Sequence, residues 1–221
     1  MSQTHTNKNM FSIKHIVIAL IVLLVAFFAW WSYMENAKKS GPVQISISES
    51  DHSIGNKDSK VHIIEYADFQ CPYCASYDPV VSQFLAKNND KVYYTFKHFP
   101  LISIHQNTMT AAIGSEAAAR QGKFWEYKKV VFENQKDWES SLEAEDKIAS
   151  YLPAIGIDVN KWKEDMKDPK LQDIVMNSYK EAMSIGISGT PSIIINGERV
   201  DLNQVSTLED LQKYVDNELA K

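Results

Sequence analysis

The segment VHIIEYADFQCPYC, residues 61–74, joins an apolar run to a pair of cysteines. Its first seven residues are rich in β-branched and aromatic side chains and predict a strand. Pro72 suits the first position of a helix, so a helix is predicted over residues 72–87. Cys71 and Cys74 therefore lie where a strand gives way to a helix, one helical turn apart.

The rest of the chain predicts further strands and helices around this junction. The region between about residues 103 and 186 carries capping residues and amphipathic faces that indicate a block of helices. The other predicted elements are a short strand at 44–48, polar turns at 50–59, a strand at 92–99, a strand at 192–195 that enters a hairpin at Asn196-Gly197, and a last helix opened by Thr207.

The composition excludes several classes of protein. With 44% hydrophobic and 23% charged residues, and only 8 Gly and 7 Pro, the chain is neither disordered nor collagen-like. Its 28 acidic side chains outnumber 23 basic ones, for a net charge of -5, so no nucleic-acid partner is expected. Two cysteines are too few for a disulfide-stapled scaffold or a four-cysteine zinc site.

The N-terminal region contains an uncharged, apolar stretch of 19 residues, 16–34. At about 1.5 Å per residue, a helix of this length nearly crosses a hydrocarbon core of about 30 Å. Trp30, Trp31 and Tyr33 crowd its C-terminal end, where aromatic residues meet lipid headgroups. A buried core helix is disfavoured because the stretch is apolar on every face.

The stretch therefore predicts an uncleaved transmembrane signal anchor. A cleaved signal peptide is the alternative, but the tract is long for one and Glu35 fits a cleavage motif before Ala37 poorly. The predicted order is a short cytoplasmic tail (1–15), the anchor (16–34), a tether and N-terminal extension (35–59) and a soluble domain (60–221). The lysine distribution weakly favours a single-pass protein of the cell membrane with its C-terminal domain outside the cytoplasm.

The position of the cysteines indicates redox chemistry. A sulfur just before a helix lies near unpaired N–H groups and the positive end of the helix dipole, which favours the reactive thiolate. Cys71 is thus predicted to be the exposed, reactive sulfur and Cys74 the buried resolving partner, with Pro72 stiffening the loop. A structural disulfide would close too small a loop to stabilise much. A metal site is also disfavoured, because no histidine has a ligand spacing to the pair.

Two further positions support the redox interpretation. Glu65 lies six residues before Cys71 in an otherwise apolar strand, so it is either a buried carboxylate that relays a proton to Cys74 or a solvent-facing side chain. Thr190-Pro191 precedes the strand at 192–195 and predicts either a cis-proline turn that exposes the backbone of residue 190 or an ordinary trans loop. His98 and His105 are interpreted as capping or surface residues.

The sequence resembles the thioredoxin superfamily, and within it the DsbA-like thiol:disulfide oxidoreductases. The resemblance is carried by EYADFQCPYC at 65–74, FPL at 99–101, QGKFWEY at 121–127, GTPS at 189–192 and NG at 196–197. It implies an α/β thioredoxin fold, a central mixed sheet flanked by helices, with a helical insertion at about 103–186 and one transmembrane helix before it.

The resemblance also implies the roles of single residues. Cys71 would be the nucleophile, Cys74 the resolving thiol, Pro191 the cis-proline and Glu65 the buried acid. Substrate would contact the backbone of Thr190, together with Pro72 and Tyr73. Tyr73 stands where many DsbA enzymes carry a histidine that helps to stabilise the thiolate, so that contribution is missing here.

Three functions are compatible with these features. The first is a membrane-anchored oxidase that introduces disulfides into unfolded or reduced secreted proteins, acts as a monomer without metal or organic cofactor, and is reoxidised by a membrane partner of the DsbB or VKOR type. The second is a disulfide reductase or isomerase of the same fold. The third is a non-enzymatic metal-binding or chaperone-like module.

Overall fold

The computed structural model describes residues 13–39 and 45–221. The predicted cytoplasmic tail lies mostly outside these residues, as do residues 40–44 of the predicted tether. The chain divides into two compact units, 1–41 and 42–221.

The first unit contains helix α1 (Ile13–Lys39). Its stretch His15–Met34, 20 residues long, is apolar enough to cross a membrane, a criterion of length and composition that a signal sequence also meets. All side chains of this stretch are exposed, and the stretch is apolar on every face. α1 is therefore a candidate membrane span.

The second unit is built on a mixed sheet of five strands within the described residues. The strands are β1 (His52–Gly55), β2 (His62–Ala67), β3 (Tyr93–His98), β4 (Ser192–Ile195) and β5 (Glu198–Val200). Their spatial order is β1-β3-β2-β4-β5. β2 and β3 are parallel, and every other neighbouring pair is antiparallel. The central strand β2 thus runs directly towards the cysteines.

Helices cover both faces of this sheet. They are α2 (Pro72–Asn88), α3 (Thr108–Ala119), α4 (Phe124–Glu133), α5 (Gln135–Trp138), α6 (Ala144–Tyr151), α7 (Val159–Asp165), α8 (Pro169–Ser184) and α9 (Leu208–Leu219). The larger core packs one face against α2, α9 and helices α3 to α7, and it includes Ile63 and Phe96. The smaller core lies on the other face, where Ile64 and Tyr66 pack with Ala182 of α8.

The alternation along β2 explains why one strand serves two cores. Successive side chains of a strand point to opposite faces, so Ile63 and Glu65 share one side and Ile64 and Tyr66 the other. All four are buried, which is typical of a central strand covered by helices on both faces. Glu65 is therefore placed on the side of the larger core.

Most of the predicted elements are confirmed, because their signals are local. Asp158, Asp168 and Thr207 accept hydrogen bonds from backbone N–H groups at the starts of α7, α8 and α9. Asn196 and Gly197 both have positive φ, as the tight turn between β4 and β5 requires. The predicted fold class, a mixed sheet flanked by helices with a helical block between β3 and β4, is also confirmed.

One prediction at the N-terminal side of the domain is wrong. Residues 45–48 form no strand, and the edge strand β1 instead lies at His52–Gly55, within the stretch predicted as polar turns. β1 has little strand signal of its own, since Ile54 is its single aliphatic residue. It forms because β3 offers an unpaired edge, to which His52 and Gly55 pair opposite Phe96 and Tyr93.

Candidate redox site

Cys71 is the N-cap residue of α2, with Pro72 in the first helical position and Cys74 in the first turn. Both cysteines are free thiols. Cys74 is fully buried, as predicted. Cys71 is only 4% exposed, so the prediction of an exposed sulfur is wrong. Thr190 explains the difference, because its carbonyl oxygen lies 3.4 Å from the Cys71 sulfur.

The environment separates the acidities of the two thiols. A hydrogen bond from the Cys74 thiol lowers the pKa of Cys71 to about 6. Burial opposes this effect, and the N–H groups of Cys74 and Tyr73 add to it. Burial, followed by the Cys71 sulfur and the charge of Glu65, raises the pKa of Cys74 well above its ordinary value. At neutral pH the reduced pair therefore holds a thiolate at Cys71 and a thiol at Cys74.

The loop before β4 brings Thr190 and Pro191 to the cysteines. The Thr190-Pro191 bond is cis, as one of the two sequence interpretations predicted. β4 pairs antiparallel with β2, with Ser192 opposite Tyr66, and this register places the loop beside the C-terminal end of β2. Pro72 and Tyr73 remain exposed next to it, Tyr73 to 71%. The loop and the exposed residues together frame the Cys71 sulfur.

Glu65 is buried, with 1% exposure, so the solvent-facing interpretation is wrong. The Tyr94 hydroxyl donates a hydrogen bond to its carboxylate. Burial raises the pKa of Glu65, although the charge of Lys128 and the Tyr94 hydrogen bond oppose this. Lys128 itself pairs with Asp78 in the same interior. The carboxyl group thus lies within electrostatic range of Cys74, and its burial favours the protonated form.

The combination of a C-P-Y-C helix N-terminus, a cis-proline loop and a mixed sheet agrees with a comparison with known families. A family model described as thioredoxin matches residues 47–217. The chain belongs to the thioredoxin family.

Solved structures show which members of the thioredoxin family share its architecture. Oxidised BdbD of Bacillus subtilis superposes with a TM-score of 0.70 at 20% identity, over 82% of this chain and 99% of that one. The α-DsbA1 of Wolbachia pipientis gives a TM-score of 0.67 at 22% identity, over 80% and 94% of the two chains. The fold is thus that of DsbA-like members of the family, as the sequence resemblance implied.

The curated relatives of this chain are much longer proteins, and the segment that matches this chain is only a part of each. The Na(+)/H(+) antiporter NhaA 1 of Mycolicibacterium gilvum is 33% identical over 153 residues, which are 68% of this chain and 24% of the antiporter. NhaA 3 of Salinispora tropica is 32% identical over 151 residues, 68% of this chain and 22% of that protein. This chain therefore spans about a quarter of the length of these relatives.

Sequence reasoning missed the residues that hold the cysteine loop, which comprises residues 68–71 between β2 and α2. The Asp68 carboxylate accepts hydrogen bonds from the N–H groups of Gln70, at 2.7 Å, and Leu101, at 2.9 Å, and pairs with His105 at 2.6 Å. His105 is therefore neither a cap nor a free surface residue. Gln135 donates to the carbonyl groups of Phe69 and Cys71. The one sequence signal for this role was that Asp68 follows a buried strand directly, where its carboxylate can accept hydrogen bonds from the next loop.

His52 of β1, His98 of β3 and Glu116 of α3 form a second polar cluster, in which the possible ligand atoms all lie within 4.8 Å of one another. Such a set could hold a metal ion. In this structure Glu116 Oε1 lies 2.8 Å from His52 Nε2 and 2.7 Å from His98 Nε2. His98 is 3% exposed, so its interpretation as a surface or capping residue is wrong. The cluster ties β1 and β3 to α3.

The first prediction concerns the acidity of Cys71. In the reduced protein, iodoacetamide should modify Cys71 and not Cys74, at a rate that rises with a midpoint near pH 6. Cys74→Ala removes the largest stabilising hydrogen bond and should move the midpoint upwards. Mass spectrometry after timed alkylation measures both effects, and Cys71→Ala is the control. A midpoint near the ordinary thiol value of about 8.5 would contradict the assignment.

The second prediction concerns Glu116. Burial would raise its pKa, but hydrogen bonds and charge from His52 and His98 lower it to about 2. Because the folded pKa lies below the unfolded value, this stabilisation is complete above about pH 4.5 and is lost as pH falls towards 2. Glu116→Gln should remove a pH-dependent contribution on the order of 3 kcal/mol over that window.

Unfolding by urea, followed by circular dichroism from pH 2 to 7, measures this contribution. Glu164→Gln, at a carboxylate that is 77% exposed, is the matched control and should follow the wild-type curve. Equal pH dependence in the Glu116→Gln variant and the wild type would show that the histidines do not stabilise the carboxylate.

Proposed function

We propose that this protein is a membrane-anchored, extracytoplasmic thiol:disulfide oxidoreductase that introduces disulfides into secreted proteins. The observation that carries the proposal is the asymmetry between the two thiols, with the pKa of Cys71 lowered to about 6 and that of Cys74 raised. A stable thiolate favours the reduced enzyme and therefore makes its disulfide oxidising. Each unit by which the pKa is lowered is worth about 1.4 kcal/mol.

The reaction begins with the Cys71–Cys74 disulfide. A thiolate of the substrate attacks the Cys71 sulfur, a new S–S bond forms, and the bond to Cys74 breaks. Cys74 leaves with the electron pair and takes up a proton. A second substrate thiolate then attacks the substrate sulfur of the mixed disulfide, and Cys71 leaves as a thiolate. The substrate loses two electrons, and the enzyme gains them as a dithiol.

Glu65 supplies the proton that Cys74 needs. A thiol with a raised pKa is a poor leaving group as a bare thiolate, so protonation on departure lowers the barrier. Glu65 is buried and electrostatically coupled to Cys74, and burial raises the pKa of its carboxyl group, which favours the protonated form that can donate. The hydrogen bond from Tyr94 orients its carboxyl group.

The substrate chain binds where the loop before β4 meets the exposed start of α2. The backbone of Thr190, next to Pro191, pairs with an extended segment of the substrate. Pro72 and Tyr73 are exposed beside Cys71 and contact the same segment. An unfolded or reduced protein offers such an extended segment, whereas a folded one does not.

The proposed arrangement is a monomer with an N-terminal tail (1–15), an anchor (16–34), a tether and N-terminal extension (35–59) and a thioredoxin domain (60–221) with its helical insertion at 103–186. Its support is the apolar candidate span in α1. The relatives named as antiporters add that similar domains occur within membrane proteins. A membrane oxidase of the DsbB or VKOR type would return Cys71 and Cys74 to the disulfide, and no metal or organic cofactor takes part.

The third prediction tests the reaction. Cys74→Ala cannot resolve the mixed disulfide and should accumulate substrate proteins bound through Cys71. Extracytoplasmic proteins carrying paired cysteines should be found by diagonal gels and mass spectrometry of cells that express the variant. The double variant with alanine at both cysteines is the control. If Cys74→Ala captures no more protein than this control, the proposed reaction is wrong.

The fourth prediction separates oxidase from reductase. Tyr73 stands where many DsbA enzymes carry a histidine that makes the disulfide more oxidising. The absence of this histidine favours a reductase as the second candidate. Equilibration of the full chain with glutathione measures the reduction potential. An oxidase should lie near the -120 mV of a strong oxidant, whereas a value close to about -270 mV, as in thioredoxin, would establish the reductase.

A further inference from the structure

Gln135, at the start of α5 in the helical block, donates hydrogen bonds to backbone carbonyls of the cysteine loop. Its side chain is 5% exposed. Its Nε2 atom lies 2.8 Å from the carbonyl oxygen of Phe69 and 3.0 Å from that of Cys71. A carboxamide has two N–H groups, so this amide can use one for the carbonyl before Gln70 and the other for the carbonyl after it.

The Cys71 carbonyl is the one polar group through which the Cys71–Pro72 peptide can be held. Pro72 has no N–H, so the nitrogen side of this peptide offers no donor. A carbonyl oxygen has two lone pairs, and here Ala75 N at 3.1 Å and Gln135 Nε2 at 3.0 Å converge on it. The Ala75 bond belongs to α2, so Gln135 is the contact that comes from another element.

The orientation of this peptide determines where the Cys71 sulfur lies. Cys71 adopts φ -71° and ψ 123°, an extended conformation directly before the helix. Rotation about its backbone would carry the sulfur away from the Cys74 thiol and from the first N–H groups of α2, which are the donors that favour the thiolate. Hydrogen bonds weaken steeply with angle, so small rotations would cost the thiolate much of its stabilisation.

We propose that Gln135 is a positioning residue for Cys71, whose amide holds the Cys71–Pro72 peptide in the orientation that the exchange reaction requires. The inference rests on the proposed thiol:disulfide chemistry and assigns part of the control of that chemistry to the helical block. The neighbouring contacts agree with it, because Gln70 is also held by this block, through Asn107 N at 2.7 Å and Glu139 O at 2.6 Å.

A purely structural role would predict a different result. Gln135 would then only satisfy two buried carbonyl groups, and its loss would lower stability without changing the thiol. Tyr127 provides the matched comparison. It lies in the same helical block and is fully buried, and its hydroxyl donates to the Ala111 carbonyl oxygen at 3.0 Å. Tyr127→Phe removes one buried donor from a backbone carbonyl and keeps the aromatic ring, which lies 5.9 Å from the Phe69 ring between centroids.

The fifth prediction compares Gln135→Met and Tyr127→Phe in the full chain, reduced and in detergent. Gln135→Met keeps the volume and loses both donors. The midpoint of thiolate absorbance should rise by about half to one pH unit, and alkylation of Cys71 at pH 5, below the wild-type midpoint, should slow by about threefold to ninefold. Tyr127→Phe should leave both within about twofold of wild type while lowering the unfolding midpoint.

Wild-type ionisation and alkylation in a folded Gln135→Met variant would overturn the proposal. If that variant does not fold, Gln135→Asn decides the matter, because it keeps an amide donor but shortens it. A raised midpoint in the folded asparagine variant supports the positioning role, and a wild-type midpoint overturns it. These thiol measurements need no substrate protein, so their failure is distinct from a failure of the proposed oxidase function.

Discussion

The Cys71 thiolate is stabilised by hydrogen bonds at the start of α2, and the rest of the site holds the Cys71 sulfur within reach of their donors. The donors are the Cys74 thiol and the first N–H groups of the helix, groups that a helix leaves unpaired at its N-terminus. Such bonds are short-ranged and directional, so they stabilise the anion only while the sulfur stays in place. Thr190 from the loop before β4 and Gln135 from α5 restrict it from two sides.

The interior behind the cysteines contains buried carboxyl and ammonium groups. Glu65 and the pair of Lys128 with Asp78 are all nearly excluded from water. Buried charges are costly unless they are paired and hydrogen-bonded, and here each has a partner. The Lys128 ammonium also lies 5.4 Å from the centre of the Phe132 ring. An arrangement that costs stability but stays paired is typical of a site where proton transfer needs titratable groups.

The helical block contributes to the site as well as covering it. Asn107 and Gln135 reach the cysteine loop through amide hydrogen bonds, and Lys128 reaches the interior near Glu65. Glu116, on α3, joins His52 of the edge strand to His98 of β3. The short edge strand β1 depends on such contacts, because it has few apolar side chains of its own to bury.

Local features of this protein follow from the sequence alone, because neighbouring residues produce them. The start of α2 at Pro72, the capping residues Asp158, Asp168 and Thr207, the turn at Asn196-Gly197 and the apolar length of α1 each depend on a few adjacent side chains. The cysteine pair and its order of reactivity belong to this group as well, since the helix that activates Cys71 begins at the next residue.

Features that join distant parts of the chain depend on the tertiary structure. Strand β1 forms only on the free edge of β3, and Glu65 is buried only because helices cover that face of the sheet. Thr190 is 119 residues from Cys71, and Gln135 is 64 residues away. Thr190 is marked in the sequence by the proline that follows it, but no local pattern marks Gln135 as part of the site, because a hydrogen bond to a backbone carbonyl selects a position in space and not a motif in the sequence.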